Sequence, residues 1–240
     1  MERIRYKLRI NETIARIIAE SKFISVAAEE VCYQRMVLED YISKDPEFLK
    51  TLKPYFVPES APEIVKKMAA ASARAGVGPM ASVAGAIAYF AVRAMVHQGA
   101  RYAIFENGGD IAIFTEEPVV IGLYAGERIK NLAFKIEPRP AIFGLCTSSG
   151  KMGHSLSFGL ADSVTVLSED PALADAVATA VGNCIKTDDP GQMEKTIERY
   201  LISGVEGIMV VMNEKIGLGG KLPEIISLPF SPNLITSAWR

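Results

Sequence analysis

From Arg3 to Ile10 the chain alternates strictly, with Ile4, Tyr6, Leu8 and Ile10 on one side and Arg3, Arg5, Lys7 and Arg9 on the other. A period of two sends successive side chains to opposite faces, so this stretch predicts a half-buried strand. Asn11-Glu12 makes a turn, and Thr13 to Ala19 returns as the hairpin partner. From Ser25 to Ile42 the apolar spacing becomes helical. Pro46 starts a short second helix with Asp45 as its N-cap. Residues 53–61 are Pro-rich and read as a connector. Ser60, with Glu63 three residues on, has the pattern of a capping box for a helix through Arg74, which Gly76 and Gly78 end. Pro79 opens an Ala-rich helix from about Ala81 to Gln98. Its small residues, Ala81, Ala84, Gly85 and Ala88, permit close packing against a sheet or another helix.

Short strands follow at Tyr102 to Phe105 and Ile111 to Phe114, on either side of the sequence ENGGD. More are expected at Val119 to Tyr124, Leu132 to Ile136, Ile142 to Cys146 and Asp162 to Leu167. Helices return at Ala172 to Cys184 and Gln192 to Leu201, with Pro190-Gly191 between them. The last strands are Gly207 to Met212 and Glu224 to Leu228. Strands outnumber what a βαβ alternation would give, and tight turns join several of them. The pattern predicts an α+β protein with largely antiparallel sheets flanked by helices. A strand–long helix–strand arrangement is suggested twice, around 81–114 and 163–212. A single domain over 1–240 is expected, with two intimately packed lobes as an open variant.

Composition narrows the function. Of 240 residues, 49% are apolar and 22% charged, as in ordinary globular chains, and the net charge is -2. That balance argues against a nucleic-acid-binding surface. The start, MERIRYKLRI, lacks the continuous apolar run of a signal peptide. The most apolar segment, Gly76 to Val96, is Ala/Gly-rich and interrupted by Arg93, which suits a buried helix better than a membrane span. A soluble, cytoplasmic protein is therefore expected. Three widely spaced cysteines, Cys32, Cys146 and Cys184, make no disulfide framework, and only two histidines are present, too few ligands for a structural zinc site.

Candidate chemistry gathers between Cys146 and Asn183. Asp175 and Thr179 are four apart on a predicted helix and so share a face. A carboxylate and a hydroxyl together suit Mg2+, which takes oxygen ligands and leaves positions for phosphates. The alternative is an ordinary acidic first turn. Thr147-Ser148-Ser149-Gly150, followed by Lys151 and His154, offers hydroxyls, amides and a cation to phosphates, and His154 is a candidate acid or base. A polar connecting loop fits the same residues. Gly108-Gly109, next to Asp110, can lie against a ligand or simply form a hairpin turn. Gly76 to Ser82 reads as a helix stop followed by a Pro-started helix, or as an anion site at the helix N-terminus. Cys146 ends an apolar strand and is a candidate nucleophile only if it is not buried.

Taken in order along the chain, these motifs resemble the ApbE family of flavin transferases. SVTVLSEDPALADAVATAVGN resembles that family's C-terminal strand and helix, GGDI at Gly108 to Ile111 a second motif, and Ser149-Gly150 its TSG motif. The resemblance covers roughly residues 79–184. It implies that Asp175 and Thr179 bind magnesium, with the carbonyl of Ala81 completing the site. It further implies that His154 matches the family's downstream histidine, and that the fold is an α+β arrangement with two sheet-based lobes. The chain departs from the family after His154, reading HSLSFGLADS without the aspartate–proline pair. Only Lys151, Met152 and Gly153 separate Gly150 from His154, and Ser82-Val83 replaces a Lys-Gly pair. Those segments help hold the flavin nucleotide in the family.

The resulting expectation is a short cytoplasmic branch of the ApbE-like superfamily. Its function would be that of a magnesium-dependent transferase or hydrolase acting on FAD or another nucleotide. Asp110 and His154 are the catalytic candidates. Gly108, Gly109, Thr147, Ser148, Ser149 and Gly150 would bind the nucleotide, and Asp175, Thr179 and Ala81 the metal. The alternatives left open are a flavin- or nucleotide-binding or assembly protein that keeps only the fold, and an unrelated reaction at Cys146 or His154. A small flavin or nucleotide is the expected partner. A protein acceptor and self-association also stay open.

Overall fold

The computed structural model describes residues 2–11, 13–126, 128–149 and 159–229. Strands β1 (Arg3–Ile10) and β2 (Thr13–Glu20) form the expected hairpin, paired from Arg3↔Glu20 to Ile10↔Thr13. Helices α1 (Ile24–Lys44), α2 (Glu47–Lys50), α3 (Glu63–Ala75) and α4 (Val83–His97) follow, with a 3-10 turn at Pro79–Ser82 leading into α4. Then come β3 (Tyr102–Asn107), β4 (Asp110–Thr115), β5 (Val119–Gly122), β6 (Leu132–Ile136), β7 (Arg139–Ser148) and β8 (Ser163–Ser168). Helices α5 (Pro171–Cys184) and α6 (Pro190–Tyr200) precede β9 (Val205–Met212), β10 (Lys215–Gly220) and β11 (Glu224–Ser227).

Eight strands form one antiparallel sheet in the order β1-β2-β3-β4-β7-β8-β9-β10, and β11-β6-β5 form a smaller second sheet. The α+β architecture with largely antiparallel sheets is thus as the strand count predicted. The large sheet is covered on both faces, and the parity of each strand sorts its residues between two cores. Ala103, Phe105, Ala112, Cys146, Val164, Val166, Ile208 and Val210 join the helices in one cluster. Ile104, Ile113, Phe143, Leu145, Leu167, Met209 and Val211 join Val119, Phe134 and Ile136 of the small sheet in the other. Continuous apolar runs such as MVVM therefore mark strands buried on both sides. The stretch Pro79–His97 is long and apolar enough to cross a membrane, but 56% of its most apolar window lies inside the fold, where α4 packs on the sheet.

Several local expectations need correction. Ser60 and Glu63 form no capping box: Pro62 occupies the N-cap of α3, and the Glu63 carboxylate instead takes both guanidinium nitrogens of Arg93 on α4. Asp45 does not cap α2. It ends α1 and accepts the Tyr55 hydroxyl, at 3.0 and 3.1 Å to its two oxygens. Pro190-Gly191 is no break but the first turn of α6, capped by Asp189 through the N–H groups of Gly191 and Gln192. Strand β10 was not foreseen, because three glycines in KIGLGG resemble a loop. Gly220 is required by packing, since it has φ 72° and a Cβ there would lie 2.2 Å from the Glu206 carbonyl oxygen, while Gly217 and Gly219 let the Met193 and Ile197 side chains of α6 pack close.

Candidate functional site

The site forms where α5 meets α4 and the sheet. Asp170 caps α5 by accepting the Ala172 N–H at 2.9 Å, and Pro171 takes the first helical position, where its missing N–H costs nothing. The helix then approaches its neighbours more closely than any side chain would allow. A Cβ on Gly85 of α4 would fall 2.2 Å from the Pro171 carbonyl oxygen and 2.9 Å from the Asp175 Cβ. A Cβ on Gly144 of β7 would fall 2.4 Å from the Pro171 Cα.

This contact delivers Asp175 to the N-terminus of α4. Its Oδ2 accepts the Gly85 N–H at 2.9 Å, and the Ala84 N–H also stabilises the carboxylate. Ser82, the N-cap residue of α4, makes no side-chain capping bond, and its hydroxyl donates instead to the Met68 and Pro79 carbonyls. A carboxylate from another helix therefore satisfies orphan donors that α4 cannot satisfy itself.

Asp110 opens β4 directly across from Cys146 on β7, on the helix-covered face of the sheet. The Cys146 thiol donates to the Pro171 carbonyl at 3.4 Å. Two carboxylates and a thiol thus lie together, with Cys146 and Asp175 buried and Asp110 half-buried. Burial, and secondarily the charge of Asp110, hold the Asp175 carboxyl well above the usual carboxylate range. Burial pushes Asp110 up to about 7, against hydrogen bonds from Cys146 and the Thr147 N–H. Burial, Asp110 and Asp175 together raise the Cys146 thiol, so it is no activated nucleophile. No lysine or arginine among the described residues pairs with either aspartate.

Thr179 lies one turn beyond Asp175 on α5 and is 7% exposed, against 8% for Asp175. Ala81 sits in the Pro79–Ser82 turn that packs on α5. The donors available here are a carboxylate, a hydroxyl and a main-chain carbonyl, all hard oxygens. Beside them is the Asp110 carboxyl, which no described lysine or arginine pairs. This set fits Mg2+ rather than a thiophilic metal. Among the described residues no three His, Cys, Asp or Glu side chains cluster as metal ligands, so a cation here would depend on main-chain and hydroxyl oxygens.

The remaining candidates divide. Gly108 (φ 67°) and Gly109 (φ 114°) form the β3–β4 turn in conformations that favour glycine, and Gly109 accepts the Thr147 N–H at 3.1 Å. The Thr147 hydroxyl points to the opposite face of the sheet, where it pairs with the Thr165 hydroxyl at 3.0 Å. Ser148 ends β7, and Ser149 donates to the Asp162 carbonyl at 2.8 Å. Gly150, Lys151 and His154 lie outside the described residues. Sequence reasoning missed Asp162, which precedes β8 and accepts the Asn213 N–H at 2.5 Å; no spacing marks it. It also missed Pro171 as the pivot of the α5 contact. Two open clefts, one along α6 from Asn183 to Arg199 and one between α1 and α4 around Tyr33 and His97, are separate from this pocket.

A family model described as AbpE bacteria matches residues 2–200. A UPF0280 protein of Methanothrix thermoacetophila is 46% identical over 236 residues, covering 97% of this chain and 99% of that protein. Another, from Archaeoglobus fulgidus, is 41% identical and covers 97% and 98% respectively. Among solved structures, the apo flavinyl transferase ApbE of Pseudomonas stutzeri is similar with a TM-score of 0.58 at 14% identity, over 95% of this chain and 94% of that one. The ApbE protein of Thermotoga maritima gives 0.54 at 14% identity, over 95% and 97%. At that identity the likeness is one of fold.

Proposed function

We propose, because the chain belongs to the AbpE bacteria family, that it is a magnesium-dependent transferase or hydrolase acting on the phosphoanhydride of FAD or another nucleotide. Its fold is that of the ApbE flavin transferases. The observation that carries the proposal is the pair of half-buried Asp110 and buried Asp175, beside a glycine turn, with Thr179 one helical turn away. Two carboxylates held together without a cationic side chain among the described residues make a strong site for a divalent cation.

In this reading Asp175, Thr179 and the Ala81 carbonyl hold Mg2+. When bound, the ion neutralises charge on phosphate oxygens. The Gly108-Gly109 turn has no side chains to block it and lets a ligand approach the main chain. Asp110, at about 7, can hold or release a proton on its own carboxylate near neutral pH. Ser148 and Ser149 are the nucleotide-binding candidates among the described residues here, and His154, outside them, is the second acid–base candidate. Thr147 contributes its main chain rather than its hydroxyl. A protein acceptor belongs to the transferase form of the proposal, and a cytoplasmic setting to both forms.

The test is incubation of the protein with FAD and MgCl2, followed by chromatography for FMN and AMP. Asp175→Asn serves as the inactive comparison. Magnesium-dependent product that Asp175→Asn abolishes supports the reading. Absence of magnesium-dependent binding of FAD, FMN and ATP by calorimetry would overturn it. One observation favours a second reading, a binding protein that keeps the fold without the chemistry: the Asp175 carboxylate is already engaged in capping α4. FAD binding without turnover, and without a magnesium requirement, would select it.

A further inference from the structure

The two edges of the large sheet differ in kind. At one edge β10 exposes Ile216 (43%) and Leu218 (52%), with Lys215 its one charged residue. At the other, β1 pairs with β2 along its whole length, and no strand among the described residues pairs with its outer side. This outer strand is eight residues long and nearly every second side chain is cationic.

We propose that the outer edge of β1 is a docking strip for an acidic, extended polypeptide segment, which adds to the sheet as a further strand. Leu8 faces the helix-side core, with Ile4 and Ile10 packed against it, so the opposite face of β1 carries Arg3, Arg5, Lys7 and Arg9. Arg3 is engaged by Glu117 and lies 4.0 Å over the Tyr102 ring. Arg5, Lys7 and Arg9 are exposed and have no acidic partner among the described residues. Lys7 stands directly across from Arg16, which turns away to Glu106 at 3.6 Å. Like charges facing each other across a ladder are unfavourable, so the hairpin holds positive charge that its own fold does not offset. It does so in a chain with 28 acidic and 26 basic residues.

This arrangement selects its partner. Two copies of β1 laid edge to edge would oppose cation to cation, which is how edge strands ward off self-association. An incoming strand with Asp or Glu at alternate positions would place its carboxylates beside Arg5, Lys7 and Arg9. The free N–H and C=O groups of β1 would supply main-chain pairing, as in other strand-addition complexes. The strip runs toward the end of the sheet that carries the Gly108-Gly109 turn, since β2 pairs Ala15 with Asn107. The inference stands apart from the phosphoanhydride reading: it needs neither metal nor turnover, and its failure leaves that reading untouched.

The test is fluorescence anisotropy of the full-length protein with a fluorescein-labelled peptide of about ten residues alternating Glu and Val, long enough to span β1. The control peptide replaces each Val by Pro, keeping the charge while removing strand-pairing donors. The variant Arg5→Glu/Lys7→Glu/Arg9→Glu is expected to bind about tenfold more weakly or worse through the loss of three exposed ion pairs acting together, and the control peptide to bind about tenfold more weakly or worse through lost main-chain pairing. Circular dichroism and melting of the variant confirm that the fold is intact. Equal binding of the Pro control, equal binding by the triple variant, or equal binding of a single-stranded oligonucleotide of matched charge would each overturn the proposal.

Discussion

Replacing Asp110 by Asn should change the pH dependence of stability more than stability itself. Asp110 is moved from 3.8 to about 7 by burial. Because the folded value lies above the unfolded one, the group favours the fold fully below pH 3.8, and this contribution is lost as the pH rises through about 7. A shift of about three units corresponds to roughly 4 kcal/mol at about 1.4 kcal/mol per unit. Asp110 is only partly covered by surface area, so solvent screening reduces this to about 2 kcal/mol. For a chain of this length that is a Tm change of about 4–8 °C. Thermal melts in EDTA from about pH 3.5 to about pH 8 should therefore show the wild type losing that much more than Asp110→Asn, progressively between pH 3.8 and about 7. Asn keeps the side-chain volume and an acceptor for the Thr147 N–H but cannot ionise. Added MgCl2 should recover most of the loss in the wild type and little in the variant. Parallel pH profiles for the two proteins would refute the raised Asp110 carboxyl.

Gly85→Ala should destabilise the protein by about 3 kcal/mol or more in urea titration, because the new Cβ meets main-chain atoms of Pro171 that cannot swing away. Thr147→Val should cost about 1 kcal/mol through the lost bond to Thr165, while leaving FAD binding unchanged by calorimetry, since the hydroxyl faces away from the carboxylates. Under native conditions Ellman's reagent should modify the exposed Cys32 quickly, whereas Cys146 should react only on unfolding, its thiol buried and raised by two neighbouring carboxylates.

What could be read from the sequence, and what could not, follows the range of the forces involved. The β1–β2 hairpin was legible because its alternation and turn are local. Helix α5 was legible because Pro171 and the apolar spacing after it are local too. The capping box at Ser60 failed because a contact 30 residues away, Glu63 to Arg93, outcompeted a local one. Asp175 and Thr179 were found from helical spacing and resemblance. Their meaning was not, because the capping of α4 by Asp175 spans 90 residues and rests on the absence of a Cβ at Gly85. Thr147 was grouped with Ser148 and Ser149 by composition. Strand parity sends its hydroxyl to the other face, a distinction visible only once β7 is known to continue through Ser148.

The topology gives the candidate site its dependence on the whole fold. Strands β1–β4 and β7–β10 each consist of two hairpins separated by helices, and they join where β4 pairs with β7. Asp110 and Gly85 come from the first set, Cys146 and Asp175 from the second, and the close contact of Pro171 with Gly85 holds the seam together. Neither set alone contains both carboxylates. Like charges brought together at a seam oppose its closure, and a cation bound between them would favour it by its occupancy. A divalent ion at this position would therefore couple assembly of the two halves to completion of the pocket. Gly85 at the seam would then matter for ligand binding as much as for packing.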